Sequence, residues 1–88
     1  MREPKKISDF RPVYPAFAQA AKVEGMVILE AVVNERGVVE RLKVLRSTPL
    51  LDAAAIEAVR KWRYTPTLLN GTPVSVLMTI TVNFTLHD

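Results

Sequence analysis

Apolar residues fall on every second position from 74 to 86: Val74, Val76, Met78, Ile80, Val82, Phe84 and Leu86, with Ser75, Thr79, Thr81, Asn83 and Thr85 between them. Leu77 alone breaks the alternation. A period of two sets one row of side chains on a core and the other toward solvent or a neighbouring strand, so the stretch reads as a β-strand. It contains no charged residue and no proline, the devices that normally stop an edge strand from pairing with another chain. At about 3.4 Å per residue it would span roughly 44 Å, which is long for a strand. One end is expected to project past the helix that covers it.

The same period recurs over 26–34, with Val27, Leu29, Ala31 and Val33 on one face and Met26, Ile28 and Val32 on the other. Apolar residues on both faces predict a central strand. Glu30 is the exception and requires water or a cationic neighbour. Glu35-Arg36-Gly37 reads as a short turn that returns the chain as a hairpin strand over 38–47. There the spacing of three between Val39 and Leu42 predicts a bulge near Glu40 or Arg41.

Two stretches read as helices. Pro15 suits a first helical position, and the alanine-rich run 16–22 follows it up to Gly25 as a stop. Either Phe17, Ala20 and Ala21 or Ala18 and Ala21 would face the sheet. Thr48-Pro49 reads as an N-cap and first turn, with Asp52 at the positive end of the dipole and the helix running to about Tyr64. Leu51, Ala54, Ala55, Ala58, Val59 and Trp62 form its apolar stripe, and Glu57, Arg60, Lys61 and Arg63 face water. Pro66 ends it, and Asn70-Gly71 marks a tight turn into the last strand. The segment before Pro12 is polar and basic and reads as a linker or tail.

These elements define a topology. The first two strands run up and down, the helix carries the chain back, and the last strand must pair with the first to remain antiparallel to its neighbour. The expected fold is α+β: helix-strand-strand-helix-strand, with two helices on one face of a three-stranded antiparallel sheet in the order second, first, last. Both flanking strands are edges.

Composition narrows the chemistry. Eighty-eight residues, 49% of them hydrophobic, suit one small domain with a core. The net charge of +3 is distributed along the chain and interleaved with acids, which reads as a solvated surface. With no cysteine, disulfides and thiolate metal sites are excluded. No apolar run reaches the length of a membrane helix, and the polar start is no signal peptide, so the chain as given reads as soluble. The single histidine, His87, lies next to the chain end and reads as a tail residue. Paired carboxylates, a phosphate-binding glycine loop and a nucleophile with its base are all missing. A non-enzymatic binding domain is expected, with no catalytic residue, cofactor or metal. Arg60-Lys61-Trp62-Arg63 combines cations with an aromatic as a single-stranded nucleic-acid site would, but Trp62 belongs to the apolar stripe and reads as core.

Taken in order, Pro12-Val13-Tyr14-Pro15, Val23-Glu24-Gly25, Gly37-Val38-Val39, Leu51-Asp52, Trp62-Arg63-Tyr64-Thr65-Pro66, Asn70-Gly71-Thr72-Pro73-Val74 and Asn83-Phe84-Thr85-Leu86 resemble the C-terminal domain of the TonB energy-transducer family. On that likeness 1–11 is a linker or tail and 12–88 a TonB-like domain. The resemblance implies a periplasmic domain, the soluble end of an inner-membrane-anchored protein whose preceding part couples to a proton-driven motor complex. Such domains take the TonB box of outer-membrane TonB-dependent transporters as an added strand and transmit force to the plug for active uptake. Carried over residue by residue, the accepting edge is Val74, Ser75, Val76, Leu77, Met78, Thr79, Ile80, Thr81, Val82 and Asn83, with contacts from Arg11, Tyr14 and Phe17. Enterobacterial members carry glutamine at the position of Arg11 and arginine at that of Phe17. Two other readings stand beside this one: the long edge pairs with a second copy as a homodimer, or the basic cluster and tail bind nucleic acid.

Overall fold

The computed structural model describes residues 4–86; His87 lies outside them. The elements in order are β1 (Lys6–Ser8), α1 (Ala16–Ala20), β2 (Gly25–Val33), β3 (Val39–Arg46), α2 (Asp52–Arg60), β4 (Arg63–Tyr64), β5 (Thr67–Leu69), β6 (Thr72–Val74) and β7 (Val76–Phe84). The main sheet is antiparallel in the order β3-β2-β7, the order expected from the alternation of directions. Val27, Leu29, Ala31 and Val33 of β2 and Ile80, Val82 and Phe84 of β7 form a buried row beneath Leu51, Ala55 and Val59 of α2 and Ala18 of α1. Burying a side chain of this kind stabilises by about 1.5 to 3 kcal/mol, so this single covered face carries the domain. Among the described residues, no helix covers the opposite face.

The bulge falls where the spacing places it. Val32 pairs with Arg41 and Val33 with Val39, leaving Glu40 as the extra residue. A second shift, between Ile28↔Arg46 and Leu29↔Val44, leaves Leu45 extra as well. Glu30, the one acid in β2, stands directly across from Lys43, which supplies its cationic neighbour.

Several local expectations are corrected. Helix α1 stops before Gly25: Lys22 adopts a left-handed φ of 55°, the Val23 N–H donates to the Ala18 carbonyl (2.9 Å) and the Lys22 N–H to the Gln19 carbonyl (3.0 Å). This paired closure satisfies the last carbonyls without a glycine. Its inward residue is Ala18, whereas Phe17, Ala20 and Ala21 are exposed. Helix α2 begins at Asp52, and Thr48 does not cap it. The Thr48 hydroxyl instead donates to the Met26 carbonyl (2.6 Å), and the Asp52 carboxylate accepts the Thr48 N–H (2.8 Å) and the Ser47 hydroxyl. The helix ends at Arg60, well short of Tyr64.

That early end has a distant cause. Arg63 and Tyr64 pair as β4 with β1, from the segment that reads as a tail. The Lys5 N–H donates to Thr65 Oγ1 (2.9 Å), and the Thr65 N–H donates back to the Lys5 carbonyl (2.8 Å). The Trp62 indole N–H donates to the Phe10 carbonyl (2.8 Å), while the Lys6 ammonium sits 3.7 Å from the centroid of its ring. The described part of the tail is therefore a strap docked along the domain.

The long strand is also divided. Thr72–Val74 pairs with Thr67–Leu69 as a separate hairpin, closed by Asn70 at φ 52° and Gly71 at φ 79°, the two positive values that a tight two-residue turn demands. Ser75 separates β6 from β7, and the sheet proper begins at Val76. Val76 and Met78 are only half-buried, while Ile80, Val82 and Phe84 are buried. The starting end of β7 is thus the less covered one.

Candidate functional site

In an antiparallel ladder, successive residues turn their N–H and C=O groups to opposite sides. Among residues 26–34 the even-numbered ones face β3: the Asn34 N–H donates to the Val38 carbonyl (2.9 Å), and the Met26 carbonyl on the same side accepts from Thr48. The odd-numbered residues of β2 consequently face β7. The unbroken register pairs them with Val76, Met78, Ile80, Val82 and Phe84. The backbone groups of Leu77, Thr79, Thr81 and Asn83 therefore point away from the sheet, along an edge that no other described strand covers.

This edge is chemically open. The other edge, β3, carries Glu40, Arg41, Lys43 and Arg46 and two bulges, all of which discourage pairing. Strand β7 has no charge, no proline and one regular register over its whole length. Its outward side chains, on the helix-free face, are Leu77, Thr79, Thr81 and Asn83, all exposed. Such an edge can accept an extended chain by main-chain hydrogen bonding.

The expected site residues are not all gathered here. Val76, Leu77, Met78, Thr79, Ile80, Thr81, Val82 and Asn83 lie in β7. Val74 belongs to β6, paired with Thr67, and Ser75 sits at the break, its hydroxyl donating to Glu35 (3.2 Å). Tyr14 reaches the far end of β7: its ring stands edge-on to Phe84 at 5.4 Å between centroids, and its hydroxyl donates to the Val23 carbonyl. Next to it, the Glu24 carboxylate accepts the Leu86 N–H (3.0 Å). Phe17 is exposed on α1, and Arg11 lines a groove with Phe10, Val13, Ala54, Glu57, Ala58 and Lys61, between the strap and α2. No residue of β7 lines that groove. The anchors Phe84 and Glu24 are contacts that periodicity does not reveal.

Both tyrosines hold their protons more tightly than usual. Desolvation comes first for each, followed by the Glu24 carboxylate for Tyr14 and Asp9 for Tyr64. A raised folded-state pKa stabilises the fold fully below the ordinary tyrosine value of about 10, and that contribution is lost as pH rises through the raised values. Urea midpoints should fall as pH is taken above that value. In Tyr64→Phe the fall should be shallower, and an unchanged slope would exclude this cause.

The cluster at the end of α2 offers no stacking platform. Trp62 is 8% exposed, its ring is covered by Lys6, and Arg60 and Lys61 lie 3.9 and 3.8 Å from the Glu57 carboxylate. This is the core tryptophan with solvated neighbours that the stripe predicts. Among the described residues, no helix is long and apolar enough to cross a membrane.

A family model described as the Gram-negative bacterial TonB protein C-terminal matches residues 11–86. The chain belongs to this family. Relatives include Protein TonB of Vibrio cholerae, 33% identical over 79 residues that make up 88% of this chain and 32% of that protein. Protein TonB of Klebsiella pneumoniae is 34% identical over 86 residues, 96% of this chain and 33% of that protein. The chain thus spans about a third of the length of these relatives. The solution structure of the Pseudomonas aeruginosa TonB C-terminal domain superposes with a TM-score of 0.82 at 29% identity, covering all of this chain and 91% of that one. The TonB2 protein of Vibrio anguillarum superposes at 0.72 with 26% identity, covering all of this chain and 86% of that one. This membership bears out the resemblance read from the motifs of the sequence.

Proposed function

We propose that this chain is the periplasmic receiving domain of a TonB-like energy transducer, which takes the TonB box of an outer-membrane transporter as an added strand on β7 and passes force to the plug. The carrying observation is the uncharged edge with four alternate outward-facing residues, Leu77, Thr79, Thr81 and Asn83, on a sheet whose opposite edge is closed by charge and bulges. In strand addition, main-chain hydrogen bonds supply affinity and alternate side chains supply selectivity. Membership of the TonB family supports the reading. The preceding part of the transducer, anchored in the inner membrane, would couple the domain to a proton-driven motor complex.

Titrating the domain with a TonB-box peptide should shift the amides of Leu77, Thr79, Thr81 and Asn83 to saturation, while those of Ile80 and Val82, bonded to β2, move less. Shifts confined to α2, or none at any concentration, would refute the proposal. The same edge can pair with β7 of a second copy. In that case sedimentation would show concentration-dependent dimers that the peptide dissolves, whereas a strict monomer leaves the peptide as the occupant.

A further inference from the structure

We propose that Leu77 sets the register of the strand that adds to β7 by taking one branched apolar side chain of the ligand on the helix-free face; this rests on the strand-addition reading above. The backbone of an edge strand repeats every two residues, so a ligand that slips by two positions recovers the same hydrogen bonds. Main-chain pairing alone therefore binds without choosing a register. Side chains have to choose.

The rows running across the helix-free face show where the choice lies. Thr79 pairs with Glu30, which pairs with Lys43; Thr81 pairs with Ile28, which pairs with Arg46. Asn83 pairs with Met26. The β7 ends of these rows are polar and much alike. The remaining row is different: Leu77 pairs with Val32, which pairs with Arg41. Leu77 is 65% exposed, with a half-buried valine on its inner side and nothing from the described residues paired on its outer side.

A ligand side chain directly across from Leu77 would complete an apolar row. A slip of two positions would instead set that side chain beside Thr79, in the row of Glu30 and Lys43, and leave Leu77 facing a polar residue. The ligand this edge selects is thus an extended, uncharged segment with a branched apolar residue at one position and hydroxyl-bearing residues two and four positions along. Cross-strand pairs of this kind shift affinity by about two- to fivefold, enough to favour one register among otherwise equal ones.

The test uses short peptides of alternating threonine and valine flanked by lysines, with a spin label at the N-terminus and one threonine replaced by leucine. When the leucine is moved two positions along, the most strongly broadened β7 amide should shift by two residues, about 7 Å, because the leucine stays across from Leu77. In Leu77→Thr, whose side chain lies outside the core, the broadening should stay in place wherever the leucine sits, and affinity should change by no more than about fivefold. Broadening that ignores the leucine in the unmodified domain, or that follows it equally in Leu77→Thr, overturns the inference while leaving strand addition intact. No response in any β7 amide overturns strand addition itself, and the register with it.

Discussion

Gly37→Ala should lower the unfolding free energy by upward of about 3 kcal/mol, while Gly71→Ala should cost only about 1 to 2 kcal/mol. The two glycines share a φ of 79°, so the left-handed penalty on a side chain, about 1 to 2 kcal/mol, is common to both. Their surroundings differ. A Cβ on Gly71 would meet nothing within 4 Å, whereas one on Gly37 would lie 1.9 Å from the Tyr64 carbonyl oxygen and 2.9 Å from its carbon. Tyr64 cannot step aside freely: its N–H donates to the Gly37 carbonyl (2.9 Å), its neighbour Arg63 bridges Val38, and its own backbone pairs with Lys6. Opening the contact breaks at least one of these bonds, at about 1 to 3 kcal/mol for a group left unsatisfied, and draws the buried Tyr64 ring from the core. The sum, upward of about 3 kcal/mol, is a large part of the roughly 5 to 15 kcal/mol that holds a domain together. Urea unfolding of both variants decides it; equal losses would mean that the Tyr64 contact relaxes without consequence.

Gly37 shows what a sequence conveys and what it does not. Its place in a hairpin turn is legible from Glu35-Arg36-Gly37 between two alternating runs, but its contact with Tyr64, far along the chain, is not. The same division holds elsewhere. The sheet order follows from strand directions, and the bulge at Glu40 follows from the spacing of Val39 and Leu42, because both are encoded in neighbouring residues. Local signals make Thr48 a cap, yet its hydroxyl serves the Met26 carbonyl. Pro66 is a local breaker and sets the expected end of α2 near Tyr64, while Arg63 and Tyr64 are drawn into a strand by Lys6–Ser8. The strap itself has little apolar period, and Phe10 contributes a backbone carbonyl to Trp62, a contact available to any residue type.

The candidate site divides in the same way. That the stretch from Val76 to Asn83 forms an edge without charge is legible from alternation and topology. Which of its amides are free is not, because this depends on the side of β7 on which β2 lies once the apolar face is turned to the helices. Periodicity carries no such handedness. In the sequence Leu77 is only a break in the pattern, and it acquires meaning when the register sets it beside Val32 on the open face.

That phase carries the second large effect: Thr81→Pro should eliminate strand addition in a domain that remains folded, whereas Ile80→Pro, one residue away, should unfold it. The Thr81 N–H points out of the sheet, so proline removes no bond to β2, and proline is tolerated in edge strands on that condition. The Ile80 amide faces Leu29 in the ladder, and Ile80 is 6% exposed. There proline removes a ladder bond and disturbs the core together. For an incoming strand the situation is reversed. At Thr81 the ring replaces a donor in the middle of the accepting edge and holds the ligand carbonyl away, so the bonds at Thr79 and Asn83 are strained too. Two or three bonds at about 1 kcal/mol each amount to roughly 30- to 100-fold or more in affinity, by the relation of about 1.4 kcal/mol per factor of ten. A peptide titration should show no saturation with Thr81→Pro, while its amide spectrum keeps the dispersion of a folded domain. Thr81→Ala, which keeps the N–H, should bind within a few-fold of the parent. Unfolding by Thr81→Pro together with a folded Ile80→Pro would invert the assigned phase, and full binding by Thr81→Pro would remove β7 as the acceptor.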